Sequence, residues 1–62
     1  MTEDRFKNMD PYILLSMVNM KLRDSYSSLE AYCEDENISE KTIIDRLGSI
    51  GYSYIRDVNQ FK

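Results

Sequence analysis

The sequence predicts an all-α fold: three helices in a helix-turn-helix-like arrangement, then a short extended C-terminal arm. Three observations lead there. Apolar residues recur at helical spacing in three separate stretches. A capping residue stands at the head of each: Asp10, Ser27 and Ser39. After Gly51 the helical period is lost and Tyr52 and Tyr54 alternate with Ser53.

Residues 1–9 are polar and mixed in charge, so they are expected to fray, with Phe6 available to pin them. The first helix is placed at 10–24, "DPYILLSMVNMKLRD". Asp10 can accept from the free amides of the first turn, and Pro11 suits the first helical position. Lys21 and Arg23 fall in the last turn, where cations favour the helix dipole. At 100° per residue this helix carries two apolar stripes. Leu14, Leu15, Val18 and Leu22 form one, and Ile13, Met17 and Met20 form the other. A surface helix of a lone domain needs one stripe. The second calls for the C-terminal arm or another copy of the chain.

The second helix is placed at 28–36. Ser27 and Glu30 fit a capping box, and Leu29, Tyr32 and Cys33 form its inward side. It ends on Glu34, Asp35 and Glu36, whose charge opposes the dipole. Asn37 tolerates the left-handed conformation that closes helices. Ser39 caps the third helix, 40–50, with Ile43, Leu47 and Ile50 at i, i+4 and i+7. Gly48 lies inside it, where close packing would explain its presence, and Gly51 is placed to end it. The arm runs over 52–62, with a turn near Asp57 to Asn59 and Phe61 folding back onto the body. The whole chain, 1–62, reads as one small domain. A domain of this size buries only about 60% of the surface its unfolded form exposes, so help from oligomerisation is expected.

Composition removes several function classes. The net charge of −3 argues against nucleic acid, because phosphate neutralisation dominates that affinity. No histidine is present, so a common metal ligand and general base is missing. Cys33 is the single cysteine and fits a reducing cytoplasm. "YILLSMVNMKL" is too short to cross a bilayer, and no signal peptide is visible. The acidic run 34–36 lacks the alternate spacing and central glycine of a calcium loop. Flanking acids disfavour a Cys33 thiolate, and Ser16, Ser25, Ser27 and Ser28 lack a histidine base, with no lysine or acid convincingly placed to replace it. Neither catalysis nor a cofactor or metal is expected.

The second and third helices match the packing positions of a helix-turn-helix: small Cys33, Asn37 in the turn, apolar Ile38, Ile43 and Leu47, and the Ser39 cap. If that motif read DNA, Ser39, Lys41, Thr42 and Arg46 would face bases, with Arg56 nearby. Glu40 and Asp45 share that face, and Glu30, Glu34, Asp35 and Glu36 lie on the helix before it.

The blocks "LLS", "VN", "KLRD", "GY" and "NQF", in this order and spacing from Asp10 to Phe61, resemble the family of short bacterial proteins called domain of unknown function 4250. The resemblance implies a stand-alone small protein and carries over no site residue. Within those blocks Asn19 and Arg23 are placed to bind backbone groups of the arm, Asn59 to satisfy a turn, and Gln60 and Phe61 to pin the arm to the first helix.

Two functions follow as expectations. The first is a cytoplasmic, non-catalytic protein-interaction module that forms a homodimer through Ile13, Met17 and Met20. Tyr54 is a further candidate, open to either core or interface. The second is a DNA-binding regulator using Ser39, Lys41, Thr42, Arg46 and Arg56.

Overall fold

The computed structural model describes residues 6–62. The expectation of fraying at 1–9 therefore lies partly, over 1–5, outside the described residues. A helical turn over 6–8 precedes helix α1, Pro11–Asp24. Helix α2 spans Leu29–Glu36 and helix α3 spans Glu40–Gly48. Strands β1, Tyr54–Ile55, and β2, Gln60–Phe61, form an antiparallel hairpin with Tyr54 opposite Phe61 and Ile55 opposite Gln60. The chain is mostly helical, and the hairpin corrects the all-α expectation. The supposed arm folds back as two strands laid on α1.

Each helix start has a local cause. The Asp10 carboxylate accepts from Tyr12 N–H at 2.8 Å, with Pro11 following it. For α2 the capping residue is Ser28, one place later than expected. Its hydroxyl accepts from Ala31 N–H at 3.1 Å, and its backbone is fully extended. Glu30 then falls one position short of the place a capping box needs. The Leu29 N–H is satisfied instead by the Tyr54 hydroxyl, at 3.2 Å. Ser39 caps α3 by accepting from Lys41 N–H at 3.2 Å.

The ends of α2 and α3 are built alike. Asn37 adopts the left-handed region at φ 58°. Ile38 N–H donates to Cys33 O and Asn37 N–H to Glu34 O, at 2.9 and 3.2 Å. Gly51, at φ 86°, stands in the same relation to the end of α3. Tyr52 N–H donates to Leu47 O and Gly51 N–H to Gly48 O, both at 3.0 Å. Both pairs are Schellman closures, which satisfy carbonyls that no further turn will reach. Each is followed by an apolar residue, Ile38 or Tyr52, packed on or in the core. Gly48 itself needs no close approach, contrary to expectation, since a Cβ there would meet nothing within 4 Å.

The core gathers Leu14, Val18 and Leu22 of α1, Leu29, Tyr32 and Cys33 of α2, Ile43 and Leu47 of α3, Ile38 of the turn and Phe61 of β2. Phe6 joins them at 3% exposure, its ring edge-on to Tyr32 with centroids 6.4 Å apart. No polar or charged residue is buried among the described residues. Burial of a large apolar side chain contributes about 1.5–3 kcal/mol, so these side chains supply the main driving force.

Candidate interaction surface

The stripe expected to face a partner does face outward. Ile13 is 62% exposed and Met20 48%, with Tyr12 beside them also exposed. Met17, between them, is half-buried and packs against the core. The spacing of four then three residues keeps Ile13, Met17 and Met20 on one face of α1. Asp10 and Asp24 follow at the next steps of the same face, so charge bounds the apolar patch at both ends.

Tyr54 stands elsewhere. Its ring packs on Phe61, with centroids 5.4 Å apart, and its hydroxyl donates to Asn59 Oδ1 at 2.6 Å while accepting from Leu29 N–H. That hydroxyl is committed to the fold, so Tyr54 belongs to the joint between the hairpin and α2. Tyr32 is fully buried, as expected, and Tyr52 packs against the core.

The hairpin is fastened to α1 by amides. Asn19 Nδ2 donates to Phe61 O at 3.1 Å, and Phe61 N–H donates to Asn19 Oδ1 at 2.8 Å. Asn59 is left-handed at φ 55°, and its Nδ2 donates to both Leu22 O and Tyr26 O at 3.0 Å. Gln60 Nε2 donates to Asn19 O at 3.0 Å and to Asn59 O at 2.8 Å. The sequence pointed to Asn19, Asn59 and Gln60 for such roles. Arg23 takes no part: it pairs with Asp24 at 3.0 Å in solvent, and that hydrogen bond holds the Asp24 carboxyl below its usual pKa.

The would-be reading helix is occupied by its own neighbours. Lys41 Nζ pairs with Asp45 at 2.9 Å. Arg46 is half-buried, and its Nη2 donates to Met9 O at the N-terminal turn, while its Nε is enclosed with no partner. The Ser39 hydroxyl is used by the cap, Thr42 is half-buried, and Arg56 lies on the exposed turn of the hairpin. Lys7, Ser39, Lys41, Thr42, Asp45 and Arg46 line a shallow hollow of about 320 Å³. Its Lys41 is already paired and its Arg46 is anchored to the fold, which leaves Lys7 as the exposed cation at its rim.

Cys33 is buried, and that burial, with Glu40 nearby, pushes its thiol up to about 11. It therefore keeps its proton at neutral pH and serves as a small core residue. The acids at 34–36 stay at the surface, and Asp35 accepts a hydrogen bond from the Tyr26 hydroxyl. Among the described residues no group of three or more Cys, Asp or Glu side chains is placed to hold a metal, and no helix is long and apolar enough to cross a membrane.

These features define a small, mostly helical domain closed by a C-terminal two-stranded hairpin. Residues 8–61 match the family described as Domain of unknown function (DUF4250), and the chain belongs to that family. No curated protein and no solved structure matches it.

Proposed function

We propose that this protein is a non-catalytic interaction module, resident in the cytoplasm, that self-associates through α1. The observation that carries the reading is the outward exposure of Ile13 and Met20 on one face with Met17. Spacings of four and three are those with which helices pack against their own kind. Covering Ile13 and Met20 contributes at most about 1.5–3 kcal/mol each, and half-buried Met17 less, before the cost of association. The stripe is bounded by Asp10 and Asp24, so the contact is confined to the middle of the helix. Against catalysis stands the protonated, enclosed thiol of Cys33, the chain's most reactive candidate group.

Size-exclusion chromatography with light scattering tests the reading. A dimer is expected at high micromolar concentration, and a clean monomer there overturns it. Met17→Glu is expected to give monomers. Because Met17 also touches the core, the exposed pair Ile13→Glu and Met20→Glu serves as the control that leaves folding intact. The duplex-DNA reading has less to draw on, with Lys41 paired and Arg46 turned inward. It predicts retardation at low salt.

A further inference from the structure

The C-terminal hairpin has two edges, and the fold closes one of them. Ser53 and Lys62 exchange both backbone hydrogen bonds, at 3.0 and 2.9 Å. Bonded and non-bonded pairs alternate along an antiparallel ladder. The next pair, Tyr54 and Phe61, therefore turns its N–H and C=O groups outward. Those of Phe61 meet the Asn19 amide. Those of Tyr54 point the opposite way and take no backbone partner among the described residues. An edge residue with both groups available is a template for another strand.

A groove of about 650 Å³ borders that edge. Ser53 and Tyr54 line it together with Glu40, Ile44 and Gly48 of α3 and Glu30 of α2. Gly48 faces open space, since a Cβ there would meet nothing within 4 Å. Ile44 is 42% exposed and supplies apolar surface. Glu30 and Glu40 are exposed, and neither forms an ion pair among the described residues. Arg56 also lines the groove, so acids outnumber cations there two to one.

We propose that this groove is a strand-addition site for an extended peptide segment of a partner protein. The segment pairs in β fashion with Tyr54 and carries a Lys or Arg toward Glu30 and Glu40. Main-chain bonds at the edge supply affinity, and the groove selects alternate side chains. The site is separate from the α1 stripe, so it stands whether or not the chain self-associates.

The full chain is short enough for chemical synthesis, which allows Tyr54 to be N-methylated. That change removes one outward donor and leaves the hairpin's own bonds in place. The probes are acetylated, amidated hexapeptide pools with a fixed central Lys or Glu, read by amide shifts of the labelled full chain. The Lys pool is expected to shift Tyr54 and Gly48 and to bind roughly tenfold more tightly than the Glu pool. N-methylation is expected to weaken that binding by about tenfold with the melting temperature unchanged. Gly48→Leu, which fills the groove from an exposed position, is expected to block it. The proposal is overturned by an absence of shifts at millimolar peptide, by equal binding of the two pools, or by binding indifferent to N-methylation. Self-association lost on N-methylation, with neither pool binding, gives the edge to a second copy and also overturns it.

Discussion

The α2–α3 joint is closed by hydrocarbon, and the joint between the hairpin and α1 is fastened by amides. Tyr32, Cys33, Ile38, Ile43 and Leu47 fill the first. Asn19, Asn59 and Gln60 hold the second, with Tyr54 joining from β1 and Phe61 as its apolar anchor. The two joints differ in what they demand. Hydrocarbon packing is roughly proportional to area and accepts small shifts of geometry. An amide bonded to two backbone groups accepts almost none, because hydrogen bonds weaken steeply with angle. A two-stranded hairpin is marginal by itself, so here directional bonds must supply what area cannot.

The largest expected effect lies in the hydrocarbon joint. Leu47→Ala is expected to cost about 2–5 kcal/mol. A domain of this size has only about 3–9 kcal/mol in total at usual values per residue, so loss of a cooperative thermal transition by circular dichroism is the expected readout. Next comes the amide joint. Asn59→Ala removes two donors and one acceptor, for about 3 kcal/mol by urea titration at typical values per bond. Asn59→Asp keeps the acceptor and should recover only part. A loss below about 1 kcal/mol would mean the amides contribute little and would break the contrast.

Smaller and opposite in sign is Gly48→Ala, expected to stabilise by up to about 1 kcal/mol because alanine is the better helix former and the site is open. A destabilised Gly48→Ala would show that α3 has a neighbour there in solution. A further effect is alkaline. The folded state raises the Cys33 thiol from 9.0 to about 11 by burial and by Glu40. It raises Tyr26 as well, first through the hydrogen bond to Asp35 and then by desolvation. Both groups hold their protons more tightly when folded, so the Cys33 contribution is intact below pH 9 and declines as pH climbs toward 11, while the Tyr26 contribution is intact below pH 10 and declines above it. Thermal melts across that window should show the decline, and Cys33→Ala should flatten it.

The same contrast explains what the sequence made legible. Apolar periodicity located α1, α2 and α3, and the left-handed Asn37 and Gly51 were readable because few residues tolerate that backbone. The exposed stripe was readable by excess, since α1 had more apolar faces than one core required. The cap of α2 was misplaced by one residue because Ser27 and Ser28 offer the same chemistry, and the choice fell to Tyr54, distant in sequence. The hairpin escaped because β2 is two residues long and has no alternation to detect. Its partner groups are the side chains of a helix. The Tyr54 edge was invisible for the same reason: outward backbone groups follow from register, and register follows from contacts.

Asn19 makes α1 a ruler. Its amide must meet Phe61 while Leu14, five positions earlier, stays in the core. Inserting or deleting one residue between them would swing that amide by about 100° around the helix axis. The length of α1 between these two points is therefore locked. Divergent copies of this chain should keep the count from Leu14 to Asn19 unchanged.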